Sequence, residues 1–222
     1  MKSMKTMVIA LCAGIVMTGC NNLAKGTAIG AAGGAALGAI VGKIAGNTAV
    51  GAAVGTAVGA GTGALIGRHM DKVKAQAQAV ENAQVTEVQD ANGFDAVKVT
   101  FDSGILFATN SSTLNSASTK CISQIANVLK QNRDVDVAIF GHTDSTGSDA
   151  INNPLSQKRA AAVESKLKSL GVTNIKRVEG QGSTNPVADN STAEGKKQNR
   201  RVEVYMYASQ AMINAANNGT LQ

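Results

Sequence analysis

The 222 residues allow one or two domains, but most of the 24 glycines precede residue 68 and most of the charge follows it, so an average composition describes neither half. Twenty-one basic against 15 acidic residues give a net +6, and loss of Lys2 and Lys5 with an N-terminal leader leaves an excess of four. That surplus has no Lys/Arg stripe interleaved with aromatics, which argues against a nucleic-acid partner and fits a solvated surface near an anionic wall or lipid headgroups.

Residues 1–19 read as a secretory signal peptide: Lys2 and Lys5 form the basic start, Met7 to Met17 the short apolar core, and small residues precede the cut. Met17-Thr18-Gly19-Cys20 resembles a bacterial lipobox, which implies lipidation of Cys20 as the mature N-terminus. Several acyl chains there, each buried CH₂ contributing about 0.8 kcal/mol, would anchor the protein stably. Asn21 is not the Asp that favours inner-membrane retention in such lipoproteins, so residues 20–25 are expected at the outer membrane. With Cys12 removed and Cys20 acylated, Cys121 is left alone, and it falls on the apolar face of a predicted helix with Ile125, Val128 and Leu129.

Glycine then recurs every fourth residue, at Gly26, Gly30, Gly34, Gly38, Gly42 and Gly46, and after Asn47-Thr48 again at Gly51, Gly55, Gly59, Gly63 and Gly67. That spacing lines one helix face with glycine, where each residue costs up to about 1 kcal/mol in a water-soluble helix but permits close backbone approach. Residues 26–69 are therefore expected to form a glycine-zipper helical hairpin with Arg68-His69 at a membrane interface, each helix roughly 25 to 31 Å long. It could insert in the outer-membrane lipid or oligomerise there, or pack as a hairpin against a protein partner or the lipid surface.

Residues 70–92 read as a polar helical linker with a possible first strand over 85–88, the alternative being that this segment is linker. Asn92-Gly93 marks a turn, and 96–101 alternates as a strand. Asn115 or Ser116 is placed to cap a helix to about Gln131, with Ile122, Ile125 and Leu129 inward. Val135 to Phe140 reads as a half-buried strand, and Gly141-His142-Thr143-Asp144-Ser145-Thr146-Gly147 as a polar loop leaving its end. From Ser156 the pattern becomes helical, with Ala160, Val163, Leu167 and Leu170 on one face and Gly171 as the stop. A strand over 175–179, a long loop with Asn185-Pro186, a short helix near 192–198 and a last strand over 202–206 complete a β-α-β-α-β-β order, an α/β sandwich with helices on a mixed sheet. Residues 208–222 lose the apolar period and are expected as a flexible tail.

These spacings put an acid, Asp144, at a strand end and a base, Arg159, in the first turn of the following helix, where the macrodipole disfavours a cation. Such a pair can hold a zwitterion, the carboxylate taking an ammonium and the guanidinium fork a carboxylate. Thr143 and Asn152 add polar contacts or fix the loop, and Asp144 alone could equally cap its own turn. Arg200 and Arg201 are expected to alternate on a strand, so that only one faces the site.

The run from Gly141 to Gly147, with Asn152, Leu155-Ser156, Arg159-Ala160, Gly180-Gln181-Gly182, Asn185-Pro186, Asn190-Ser191-Thr192 and Asn199-Arg200-Arg201-Val202-Glu203, resembles the OmpA-like C-terminal domain over about residues 93–207. The resemblance implies a peptidoglycan-binding domain in which Asp144 holds the amino group of diaminopimelate and Arg159 its carboxylate. The N-terminal half resembles the glycine-zipper segments of outer-membrane lipoproteins. Together they imply a periplasmic tether between outer membrane and wall; an envelope-assembly or membrane-oligomerising role for the zipper is the alternative. Catalysis is not expected: His142, Asp144 and Ser145 crowd one loop, where nucleophile, base and orienting group seldom meet in line. Two histidines give no metal-ligand pattern, and no cofactor is expected.

Overall fold

A computed structural model describes residues 60–90, 92–108 and 110–221. The signal segment 1–19, Cys20 and zipper positions 26–59 lie outside them. The described chain runs α1 (Ala60–Gln78), β1 (Gln84–Gln89), β2 (Asp95–Asp102), α2 (Ser103–Leu106), α3 (Ser116–Gln131), β3 (Val135–Gly141), α4 (Asp149–Ser169), β4 (Ile175–Gly180), α5 (Ala193–Asn199), β5 (Arg201–Ala208) and α6 (Gln210–Asn217).

The five strands form one mixed sheet in the order β1-β2-β5-β3-β4. β5 is antiparallel to both β2 and β3, with Val204 opposite Val99 on one side and Ile139 on the other. β3 and β4 are parallel, as the connecting helix α4 requires. Strand alternation sends Val97, Val99, Phe101, Val137, Ile139, Val202 and Val204 to the face covered by α1, α3 and α4, where Ile66, Met70, Ile122, Ile125, Leu129, Val163 and Leu167 meet them. The other face carries Ala96, Ala138, Phe140, Tyr205 and Tyr207, with Phe140 and Tyr205 edge to face at 5.6 Å.

Local chemistry accounts for the boundaries. Asn115 accepts the Ser118 amide at 2.9 Å and starts α3, and Gly171, at φ +88°, ends the chain reversal after α4. Segment 84–89 is a strand, paired with β2 across the Asn92-Gly93 turn.

Three expectations are corrected. Helix α4 begins at Asp149, not Ser156, with Pro154 inside it; Arg159 is thus well inside the helix, and the macrodipole argument does not apply to it. The linker is no spacer: α1 runs unbroken from Ala60 to Gln78 and buries Ile66, Met70, Val73 and Ala77 in the core. Gly67 abuts β2, since a Cβ there would lie 3.0 Å from Asp95 Oδ2, and His69 Nε2 sits 3.1 Å from Asp134 Oδ2. Residues 60–69 therefore pack with the globular unit. Among the described residues no helix is long and apolar enough to cross a membrane. The supposed tail holds α6, capped by Ser209 and burying Met212, Ile213 and Ala216, with Asn217 accepting a hydrogen bond from Thr62 of α1 at 2.8 Å.

Candidate functional site

The site forms where the C-terminal ends of β3 and β4 meet the first half of α4. Two glycines allow that approach: a Cβ on Gly141 would lie 2.2 Å from the Ser156 carbonyl, and one on Gly180 2.3 Å from the Gln157 amide. With both strand ends bare, α4 rests directly on them. Ser156 Oγ then accepts the Gly182 amide at 2.9 Å, tying the helix to the loop after β4. The 141–147 loop is clamped from two sides, by the Thr143 amide donating to the Gly182 carbonyl at 2.8 Å and by Asn152 Nδ2 donating to the Thr146 and Asp144 carbonyls at 3.1 and 3.4 Å. Asn152 thus fixes the loop with its side-chain amide.

Asp144, Arg159, Thr143 and Asn152 line one cleft of about 480 Å³, together with Ser103, Phe107, Asn110, Ile151, Lys196 and Arg200. The cleft walls come from α2, the 141–147 loop, α4 and α5, elements far apart in sequence that the sheet brings together. Asp144 Oδ1 accepts the Thr146 amide at 2.8 Å, and Oδ2 accepts from Arg200 at 2.5 Å. Burial alone would raise the Asp144 carboxyl, but Arg200 and the Thr146 amide outweigh it and hold it below the usual carboxylate range.

Arg159 is only 4% exposed. Its Nε donates to the Ser111 carbonyl at 3.1 Å, and its guanidinium lies 5.4 Å from the Phe107 ring centroid, which fixes the plane of the fork. No carboxylate among the described residues lies within 4 Å of it. Burial lowers its affinity for a proton and the nearby Arg200 charge adds to this, with Asp144 opposing, yet a guanidinium stays charged. A buried cation without an anion is costly to keep, and a ligand carboxylate would supply the missing partner. Two buried hydroxyls of the same cleft, Thr143 Oγ1 and Ser103 Oγ, also have no hydrogen-bond partner among the described residues.

The sequence missed Ser103, Asn110 and Lys196, which carry no motif of their own. It left Arg200 undecided because strand alternation does not govern it: Arg200 is the C-cap of α5. Arg201 begins β5 and is buried on the opposite face. There its Nε donates to Glu203 at 2.8 Å, and its other nitrogens donate to the carbonyls of Asn199 and Asn185 at 3.2 and 3.1 Å. His142 joins that cluster, Nε2 lying 3.4 Å from Glu203 Oε2, rather than the cleft. Cys121 is buried in the core, where burial raises its thiol. No cluster of metal-ligating side chains occurs among the described residues.

Comparison with known proteins matches residues 106–200 to the OmpA family and residues 1–71 to the YMGG-like Gly-zipper. A probable lipoprotein of Escherichia coli K12, YiaD, is 38% identical over 140 residues, 63% of this chain and 63% of that protein. The outer-membrane lipoprotein YfiB of Pseudomonas aeruginosa is 34% identical over 139 residues, 61% of this chain and 79% of its own. Among solved structures, the cell wall anchor of the T6SS from Pseudomonas aeruginosa superposes with a TM-score of 0.52 at 27% identity, covering 63% of this chain and 97% of that one. The chain spans under two thirds of the YiaD relative's length.

Proposed function

Because the chain belongs to the OmpA family, we propose that it is a non-catalytic lipoprotein that binds peptidoglycan and ties the outer membrane to the wall. The observation that carries this reading is the buried, carboxylate-free fork of Arg159 in the cleft that Asp144 also lines. An ammonium on Asp144 and a carboxylate on Arg159 together describe the free end of a diaminopimelate side chain. Thr143 contributes a hydroxyl to the cleft, and Asn152 holds the loop. Cys20 carries the lipid at the outer membrane, and the domain faces the periplasm. The likeness to a cell wall anchor and to an outer-membrane lipoprotein supports each half of the tether.

A single small zwitterion held by partly solvated charges binds weakly and is screened by salt, so many stems along one wall polymer would supply the attachment by avidity. The test is titration of the full chain with the tripeptide L-Ala-γ-D-Glu-meso-diaminopimelate and with its L-lysine counterpart, which lacks the distal carboxylate. Binding of the first and not the second is expected; equal affinities would defeat the reading.

A second reading places the activity in the zipper, as envelope assembly or homo-oligomerisation in the membrane, and the Gly-zipper match over residues 1–71 favours it. Deleting residues 26–59 while keeping Cys20 separates the two, since a simple tether tolerates the deletion. The cut stops short of α1 because Thr62 and Ile66 pack in the globular unit.

A further inference from the structure

Helix α5 separates two grooves. Lys196 and, one turn on, Arg200 face the cleft of Asp144 and Arg159, whereas Glu194, Lys197 and Gln198, spaced i, i+3, i+4, line a second groove of about 540 Å³ on its other side. The floor of this groove is the sheet face turned away from the main core: Thr86 of β1 lies beside Lys98 of β2, and Thr100 of β2 beside Glu203 of β5.

Lys98 brings an uncommitted donor to that floor. Its side chain is 13% exposed, and the one carboxylate within 4 Å of it among the described residues, Glu203 Oε1, stands at 3.9 Å, beyond hydrogen-bond reach. Both oxygens of Glu203 already accept shorter bonds, from Arg201 and Tyr205. Lys98 therefore has N–H groups to give to an oxygen acceptor in the groove.

The lining says which kind of acceptor. Three cations face the first cleft against one acid; here Lys98, Lys197 and Arg201 balance Asp102, Glu194 and Glu203, so no net charge draws an ion in. The amides of Asn82 and Gln198 and the hydroxyls of Thr86 and Thr100 offer both donors and acceptors, and Val187, 54% exposed, adds an apolar contact. That combination fits an uncharged ligand dense in hydroxyl and acetamide groups. An extended peptide would instead pair with the backbone edge of β1, whereas these side chains stand up from the face of three strands.

We propose that this groove takes the N-acetylated sugar backbone of the polymer whose peptide enters the Asp144–Arg159 cleft, with α5 as the saddle between them. This rests on the wall-binding reading and extends its ligand class from a stem peptide to a glycan that carries one. The reach suits the saddle: a stem of three residues spans roughly 10 Å when extended, about the width of a helix with its side chains.

The test follows the full chain in detergent, as parent, Lys98→Met and Gln198→Ala, by calorimetry with L-Ala-γ-D-Glu-meso-diaminopimelate alone and joined through its N-terminus to N-acetylglucosaminyl-N-acetylmuramic acid. The parent should bind the sugar-linked form about tenfold tighter, because the second contact is then intramolecular. Both variants should lose most of that gain and keep the parent's affinity for the free tripeptide. Gln198 is exposed on α5, so its variant reads the groove even where Lys98→Met unsettles the sheet. Equal binding of the two forms by the parent, or a gain that Gln198→Ala keeps in full, overturns the sugar site. The wall-binding reading fails separately, if the parent does not bind the free tripeptide; N,N′,N″-triacetylchitotriose then decides the groove, saturable binding upholding it and none overturning it.

Discussion

The cleft and the charge cluster on the far face of the sheet begin one residue apart, at Arg200 and Arg201, and treat their charges in opposite ways. Around Glu203 the charges are paired: Arg201 Nε and the Tyr205 hydroxyl donate to its two oxygens at 2.8 and 2.9 Å, and Lys98 stands 3.9 Å away, while the buried ring nitrogens of His142 beside them make no hydrogen bond. In the cleft, Arg159 is as buried as Arg201 but meets no carboxylate. A buried ionic cluster whose charges pair holds the fold, whereas a buried cation lacking its anion marks a place for a ligand.

If that contrast is right, variants of the two regions separate on stability. The largest effect is expected for Glu203→Ala, which strands Arg201 in the interior and should lower unfolding free energy by about 3–5 kcal/mol, read by denaturant titration. Gly141→Ala comes next, at about 1–3 kcal/mol from overpacking against Ser156. The variant would break the comparison if it left both melting and wall binding untouched, because α4 would then not depend on that close approach.

Acidification probes the closed cluster without mutation. Burial lowers the His142 pKa from its usual 6.5, the Glu203 bond only partly opposing. For Glu203, burial pushes upward, but His142, Arg201 and Lys98 together hold the carboxyl well below its usual 4.5. Both folded-state values are depressed, so in both cases the unfolded chain takes up protons first as the pH drops. Stability is expected to be full above 6.5, to decline as His142 resists protonation below it, and to decline further below 4.5 as Glu203 does the same. Melting temperatures of the parent and His142→Asn across that range check it: the variant should lose the first stage and keep a smaller second one, because His142 helps hold Glu203 down.

The cleft variants should move stability least. Asp144→Asn loses a partly exposed ion pair, worth under about 1 kcal/mol, yet should lose wall binding. Arg159→Met keeps much of the volume and removes a buried unpaired charge, so stability is expected within about 1 kcal/mol of the parent or above it. A loss of several kcal/mol would place Arg159 with Arg201 as a structural cation.

Local signals made much of this legible in the sequence. Asn115 as a cap, Gly171 as a stop and Ile122, Ile125 and Leu129 as an inward face all follow from short-range chemistry, and Asp144 and Arg159 share a cleft as their motif implies. What escaped was set by tertiary packing. Pro154 lies beyond the first turn of α4, where a proline reads as a boundary, so Asp149 to Leu155 were not read as helix. In α6 only Met212, Ile213 and Ala216 are buried, too few to show a period among small polar neighbours. The packing of the glycine-rich start of α1 on the sheet escaped because its close contact, Gly67 against Asp95, is to a strand that sequence spacing does not reveal.

The most direct test of the cleft as the wall-binding site is co-sedimentation of the full chain with purified diaminopimelate-type sacculi, parent beside Arg159→Met, with melting followed in parallel. Arg159→Met should melt at or above the parent and stay in the supernatant while the parent pellets. Pelleting of Arg159→Met to the same extent as the parent would contradict the assignment and move wall attachment away from this cleft.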